Sequence, residues 1–176
     1  MKLLRWLVML FLFLSIFSVA KAQNASSFSI QEWERAKSYT KAFLEAMPDK
    51  DYSLKPTPQM RSFADQMLHL AADNYVFSAN AIGIKVQEEK SLLEQNSLKT
   101  KNVVIANVMD SYDFAIASFK TLNEKTANEK VLLFSRHQLS RIQIFEKGFE
   151  HQTHHRGQTT VYLRLAGITP PEEKLF

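Results

Sequence analysis

The sequence predicts an all-α fold, a four-helix bundle with long crossover loops between its helices. Three observations support this prediction. Apolar residues recur at three- and four-residue spacing over four long segments, as on the buried face of an amphipathic helix. The 176 residues include 4 glycines and 5 prolines, which disfavours an all-β fold. The links between the first and second segments and between the second and third are long enough to permit crossover connections rather than simple up-and-down packing.

The first predicted helix begins at Ser29 and ends at Met47. Glu32 follows Ser29 by three residues, which is the pattern of a capping box, and Pro48 prevents the helix from continuing. Its apolar positions are Ile30, Trp33, Ala36, Phe43 and Met47.

The second predicted helix has Thr57 as its N-cap and Pro58 at its first helical position. Gly83 ends it, because glycine readily adopts the left-handed conformation of a helix C-terminus. Its inner stripe is Phe63, Met67, Leu70, Asn74 and Phe77. A short helical turn is expected within residues 90–95.

The third and fourth predicted helices make up much of the second half of the chain. The third runs from about Lys101 to Leu122, and its apolar face is Ile105, Val108, Met109, Tyr112, Ile116 and Phe119. The fourth begins near Ser135, with Gln138 three residues later, and ends at Leu165-Ala166-Gly167. Its buried positions are Leu139, Ile142, Phe145 and Phe149. Between these helices, residues 131–134 either dock on the bundle or pair as a small strand.

Residues 1–22 have the pattern of a signal peptide. A positively charged start precedes an apolar run, residues 7–17, and Ala20-Lys21-Ala22 is a small-x-small cleavage site. The run is shorter than the ~20 apolar residues of a membrane span, and an uncleaved anchor is the alternative. Cleavage would leave residues 23–176 as one helical domain. We therefore expect an exported bacterial protein, periplasmic or secreted, with no stable membrane anchor after cleavage.

The charge of the mature chain excludes a basic surface for nucleic acid. The full chain has 22 lysines and arginines against 18 aspartates and glutamates. Residues 1–22 contain three of the cations and none of the acids, so 19 basic and 18 acidic residues remain. Nucleic-acid binding depends on clustered positive charge, so we expect no nucleic-acid partner.

Three of the five histidines lie within residues 151–155 and indicate a metal site. His151 and His155 are four residues apart, so on a helix they lie on one face, one turn apart. Two ligands of one divalent ion can use that spacing. His154 should point elsewhere, and His137 is too far along the same helix. His69, in the second predicted helix, is left as the third ligand, with the carboxylate of Asp73 as the fallback.

Ordinary structural roles are the alternatives to a metal site. A histidine in the middle of a helix is often a hydrogen-bonded core residue, which applies to His69. A histidine-rich turn such as residues 151–155 can simply face solvent. Arg156 would then be a solvated cation or a salt-bridge partner. Gly157 costs a helix ~1 kcal/mol relative to alanine and indicates either close helix packing or room for a ligand beside the metal.

The run from His151 to Gln158 and the following Val161-Tyr162-Leu163-Arg164-Leu165-Ala166-Gly167 resemble the C-terminal signature of the DinB-like (DinB/YfiT) family. Residues 56–63 and Leu68-His69-Leu70-Ala71 resemble its second helix. The resemblance covers nearly all of residues 23–176. It implies a four-helix bundle with one divalent metal ion on three histidines, which are His69, His151 and His155 here. It also implies thiol-dependent transferase, isomerase or metal-dependent hydrolase activity, and a homodimer.

Three imidazoles would leave a coordination position open for water or a small-molecule substrate. All-nitrogen ligation suits zinc or nickel, and iron is a third choice. Gln158 and Tyr162 share the ligand face but are poor bases, so no catalytic residue is assigned. Glu150 and Asp73 adjoin ligands and are candidates to orient the imidazoles. We expect Phe63, Gln66, Phe149 and Tyr162 to line the pocket. A metal-dependent hydrolase or transferase is therefore the first hypothesis, and a non-catalytic metal-binding protein or a metal-free structural bundle is the alternative.

Overall fold

The computed structural model describes residues 30–87, 90, 93–95 and 99–176. In space the chain divides into two units, Met1–Glu32 and Trp33–Phe176. In the first unit only residues 30–32 are described, and they are helical. The expected signal peptide and the expected N-cap Ser29 lie outside the described residues. Among the residues that are described, no helix is both long and apolar enough to cross a membrane.

Four long helices form the part of the fold that the structure describes, which confirms the predicted all-α class. Helix α1 is described over residues 30–46, α2 is Phe63–Ile82, α3 is Lys101–Lys120 and α4 is Arg141–Leu165. Shorter elements are the 3-10 turns Asp49–Asp51 and Leu93–Gln95 and the one-turn helix Glu124–Ala127. Strands β1, Lys130–Leu133, and β2, His137–Ser140, form an antiparallel hairpin just before α4.

Helix α2 lies at the centre of the bundle and packs against both α3 and α4. Its predicted inner stripe is buried along its whole length. Trp33 of α1 contacts Tyr112 of α3 and Phe149 of α4, with ring centroids 6.0 Å and 5.4 Å away. The largest fully buried apolar side chains are Tyr112, Tyr162, Phe63, Phe145, Leu44, Met47, Met67, Leu68, Leu70, Ile144 and Leu163.

The predicted start of α2 at Thr57 and Pro58 is wrong. The helix begins after Ser62, whose hydroxyl accepts from the backbone N–H of Asp65 while the Asp65 carboxylate accepts from the Ser62 N–H. Residues 57–60 instead form a turn closed by a bond from Met60 N–H to the Thr57 carbonyl. The predicted end is confirmed, because Gly83 follows α2 with φ 76° in the left-handed region.

The predicted start of α4 at Ser135 is also wrong. The sequence contains the serine-x-x-glutamine pattern twice, and the structure uses the second copy, Ser140 with Gln143, as a capping box. Residues 137–140 pair with β1 instead of forming the first turn of a helix. His137 therefore lies on β2 rather than on α4. Gly167 follows the end of α4 with φ 77°, as predicted.

The hairpin turn carries backbone strain. Phe134 and Ser135 both have positive φ, 52° and 57°. Neither residue is a glycine, asparagine or aspartate, the residues that favour the left-handed region. Such positions cost about 1–3 kcal/mol each and often lie beside functional sites.

Candidate metal centre

His69, His151 and His155 meet where α2 faces α4. Each offers a ring nitrogen such that the three atoms lie within 4.8 Å of one another. The ring centroids of His151 and His155 are 4.3 Å apart, and those of His69 lie 5.3 Å and 4.5 Å from them. His151 and His155 project from one face of α4, one turn apart, and His69 reaches them from α2. The three residues predicted as ligands are thus brought together.

The other two histidines lie outside this cluster. His154 is exposed, and its Nε2 lies 3.0 Å from the amide nitrogen of Gln158. His137 is exposed on β2. Both were predicted not to share the ion with His151 and His155. The ring of His154 contacts that of His155, with centroids 5.0 Å apart, but its nitrogens do not join the group of three that could hold one ion. His137 belongs to a different element.

His155 is the most buried of the three clustered imidazoles, with 8% of its surface exposed. Burial is the main cause, and the charges of His151 and His69 act in the same direction; together they lower the pKa of His155 to about 3. At neutral pH this imidazole is therefore uncharged. The neutral form carries the lone pair that a metal ion needs, so no proton has to be displaced from His155.

Each clustered imidazole also has a polar partner. Nδ1 of His69 lies 2.7 Å from Oε1 of Glu94, and Nδ1 of His155 lies 2.8 Å from the amide nitrogen of Gln66. Nε2 of His151 lies 2.9 Å from Oδ2 of Asp73. Metal-binding histidines usually have such partners, which fix the orientation of the ring.

Asp73 contacts two of the three imidazoles. Its Oδ2 atom also lies 3.7 Å from Nε2 of His69, one turn earlier on α2. Burial raises the pKa of the Asp73 carboxyl, but the hydrogen bond with His151 and the charges of His151 and His69 outweigh it, so the pKa is lowered. An ionised Asp73 carboxylate can orient both rings or join them as an oxygen ligand.

The cluster fits one divalent ion. Zinc binds imidazole nitrogens at about 2.0–2.1 Å, so tetrahedral nitrogen ligands lie ~3.4 Å apart. In the structure the three nitrogens lie within 4.8 Å of one another. Side-chain rotations that shorten each nitrogen–nitrogen distance by about 1.4 Å or less would bring them to the spacing of zinc ligands. Nδ1 of His151 is buried and has no hydrogen-bond partner within the described part of the chain. Imidazole nitrogens around a shared centre suit zinc, nickel or iron.

Glu94 and Arg61 support the site from outside the helices, and sequence reasoning missed both. The Arg61 guanidinium donates to Oε2 of Glu94 at 2.7 Å, and Oε1 of Glu94 holds His69. The Arg61 carbonyl accepts a bond of 2.9 Å from the Tyr162 hydroxyl. Arg61 lies just before α2, and Glu94 lies in the short 3-10 turn Leu93–Gln95, far from the histidines in sequence. No local pattern therefore indicated that they would contact a histidine.

Glu150 does not orient an imidazole, contrary to one prediction. It is exposed and forms an ion pair with Lys147 at 2.7 Å.

Gly157 does not mark close helix packing, because a methyl group added there would meet nothing within 4 Å. The close approach is instead at Gly148, where an added Cβ would lie 3.0 Å from Cβ of Phe77.

Arg156 is buried, with 6% of its surface exposed, so its interpretation as a solvated cation is wrong. Its guanidinium donates to the side-chain oxygen of Gln152 at 2.8 Å and to the Thr40 hydroxyl at 3.4 Å. It also lies over the ring of Tyr39, 4.7 Å from the centroid. The Tyr112 hydroxyl donates to the same Gln152 oxygen at 2.6 Å. This polar network joins α1, α3 and α4 beside the histidine cluster.

A cavity of about 610 Å³ adjoins the cluster at His151. It is lined by Phe77, Leu133, Phe134, Arg136, His137, Leu139, Lys147, Glu150, His151 and His154. The residues expected to line the pocket do not line this cavity. Of these, Phe63 packs against Tyr162, with centroids 6.1 Å apart, and Gln66 contacts His155. Part of the cavity wall is formed by the hairpin. A small strand near residues 131–134 was one of the two predicted alternatives, but its partner β2 was expected to be the start of the fourth helix.

The comparisons with known proteins agree with the fold. The model of the DinB family matches residues 22–175. The chain is similar to the crystal structure of a DinB-like protein from Bacillus cereus, with 20% identity, a TM-score of 0.72, and coverage of 82% of this chain and 95% of the other. It is also similar to a DinB-like protein from Bacillus subtilis, with 19% identity, a TM-score of 0.63, and coverage of 84% and 96%. A search of curated proteins found no match.

Proposed function

This chain belongs to the DinB family, and on that premise we propose that it binds one divalent metal ion and acts as a metal-dependent hydrolase or transferase on a small molecule. The ligands would be His69, His151 and His155. The observation that carries the proposal is the convergence of these three side chains, from two helices, to within 4.8 Å. The cavity beside His151 supports a small-molecule substrate, because its volume lies in the usual range for ligand pockets.

The three imidazoles would hold a divalent ion, which would supply Lewis acidity toward carbonyl or phosphoryl groups. The protein's own residues would prepare the site for that chemistry. Glu94 and Gln66 fix the rings of His69 and His155. Asp73, whose pKa is lowered, keeps a carboxylate against His151 and orients that ring. Zinc or nickel is the proposed metal, with iron as the third choice.

The proposal includes export and assembly. The signal-peptide pattern of residues 1–22 supports a periplasmic or secreted bacterial protein. The near-neutral charge of residues 23–176 supports a small-molecule substrate rather than nucleic acid. Membership of the family supports a homodimer. Size-exclusion chromatography with light scattering tests the homodimer, and cell fractionation tests export.

Elemental analysis of untagged protein tests the metal site first. Wild type should contain close to one ion per chain, and His69→Ala and His155→Ala should each lose it. His137→Ala is the matched control, because this exposed histidine lies outside the cluster, and it should keep the metal. Wild type that holds no zinc or nickel after reconstitution would refute the metal site and the activity that depends on it.

A metal-binding role without catalysis is the second candidate. It is favoured because the two polar side chains on the ligand face, Tyr162 and Gln158, already bond to other protein groups. Tyr162 donates to the Arg61 carbonyl, and Gln158 contacts Gln66 and His154. Turnover on panels of esters, amides, phosphoesters and thiol acceptors separates the two candidates. Activity lost in His155→Ala supports the enzyme. A stoichiometric ion without turnover and without an exchangeable water supports the binding protein.

A further inference from the structure

We infer that the cavity beside His151 binds an organic anion, a molecule with an apolar body and a carboxylate, and that Arg136 of the hairpin turn recognises the carboxylate. This inference names the substrate class of the proposed function. It rests on that function in one respect, because the reacting end of the bound anion would face the ion at His151. The hairpin that provides Arg136 was not anticipated as part of the site.

The apolar part of the cavity is a wall that leads to the histidine cluster. Phe77 of α2 is at its centre: its ring centroid lies 5.6 Å from that of Phe134 in the hairpin turn and 5.6 Å from that of His151. Leu133 and Leu139 continue the wall on the two strands. An apolar body lying on this wall extends from the strained hairpin turn to an imidazole of the metal site.

The charge of the lining favours an anion. Among the described residues that line the cavity there are two cations and one carboxylate, with the histidines taken as neutral. Lys147 and Glu150 form an ion pair with each other at 2.7 Å, so their charges cancel. Arg136 makes no ion pair with any residue that the structure describes, and it is exposed. The guanidinium of Arg136 is thus the excess positive charge, and its planar donors match a carboxylate in two-point contact.

The strain of the hairpin turn agrees with a recognition role. Phe134 and Ser135, immediately before Arg136, have φ 52° and 57°. Phe134 remains 48% exposed at the edge of the cavity even though its ring meets Phe77. A bulky residue in the left-handed region presents an apolar face to the cavity and places Arg136 next to it.

Calorimetric titration with three probes tests the inference: butanoate, octanoate and phenylacetate, each against its uncharged amide. At least one carboxylate should bind the wild-type protein more tightly than its amide by about tenfold. Arg136→Ala should lose that preference by tenfold, and Arg136→Lys should restore part of it. Phe134→Ala should weaken carboxylate and amide alike. Arg164→Ala is the matched control, because it removes an exposed arginine that does not line the cavity.

The outcomes separate this inference from the proposed metal site. Metal content is measured on every sample, and Arg136→Ala should keep the ion because Arg136 lies outside the histidine cluster. Carboxylate binding that depends on Arg136 in a protein that holds no metal would refute the metal site alone. Metal binding with equal affinity for carboxylate and amide, or with no probe bound at millimolar concentration, would overturn the inference alone. Thermal melts of each variant show that the fold is retained.

Discussion

Oδ2 of Asp73 lies 2.9 Å from Nε2 of His151 and thereby joins α2 to α4 at the histidine cluster. The same oxygen lies 3.7 Å from His69. Two of the three candidate ligands therefore share one carboxylate. That carboxyl has a lowered pKa and is ionised at neutral pH, so its charge acts on both rings.

Asp73→Asn should weaken zinc binding by about 10–100-fold, the usual effect of losing a group that orients a ligand. The amide can still accept a hydrogen bond from His151 but carries no charge to strengthen it. Competition titration with a chromophoric chelator measures the change. Glu150→Gln is the matched control, since Glu150 adjoins His151 in sequence but pairs with Lys147. Unchanged affinity in Asp73→Asn would refute the orienting role, and a loss as large as that of His151→Ala would make Asp73 a ligand.

Two glycines of α4 should respond to alanine in opposite directions. Gly148→Ala places a Cβ 3.0 Å from Cβ of Phe77, which is held by the α2 backbone, so the helices must separate. Overpacking of that kind costs about 1–3 kcal/mol and outweighs the helix propensity of alanine. Gly157→Ala meets nothing within 4 Å and should stabilise the fold by about 0.5–1 kcal/mol. Urea unfolding measures both, and changes of the same sign would contradict the packing described.

Gln152→Leu should destabilise the protein strongly. The side-chain oxygen of Gln152 is fully buried and accepts from Tyr112 at 2.6 Å and from Arg156 at 2.8 Å. Leucine would leave a buried guanidinium and a buried hydroxyl without that acceptor, at a cost of about 3 kcal/mol or more. Gln138→Leu, on the exposed face of β2, is the control and should change the free energy of unfolding by no more than about 0.5 kcal/mol. Similar unfolding midpoints for the two variants would rule out a structural role for the network.

Stability should fall on the acid side through Asp65. Burial raises the pKa of this carboxyl, but hydrogen bonds from Lys99 and Ser62 outweigh it, so the folded pKa is lowered. A lowered folded pKa adds stability that is complete above the unfolded value of about 3.9 and is lost as pH falls through the folded pKa. Asp65→Asn should therefore reduce the loss of stability between neutral pH and pH values below about 4.

Lys99→Met should flatten the same pH profile, because it removes the cation that lowers the Asp65 pKa. Unfolding by denaturant at a series of pH values, without added metal, measures the effect. Identical acid slopes for wild type and Asp65→Asn would contradict the assignment.

The helical part of the fold could be read from the sequence because helical periodicity is a local property. Gly83 and Gly167 ended their helices as predicted, since a left-handed residue after a helix needs only short-range chemistry. The predicted starts of α2 and α4 were wrong because more than one residue in each segment can serve as an N-cap, and local chemistry does not choose between them. Ser135 and Ser140 offer equivalent capping patterns, and the choice was made by the pairing of β1 with β2, which depends on the tertiary structure.

The sequence by itself determined the all-α class, the single face shared by His151 and His155, and the choice of His69 by elimination. Only the tertiary structure decided that Asp73 lies against His151, that Glu94 holds His69, that Arg156 is buried, and that the hairpin places Arg136 at the cavity. Residues four apart on a helix share a face whatever surrounds them. Contacts between distant segments exist only once whole elements have packed, and no local pattern in the chain encodes them.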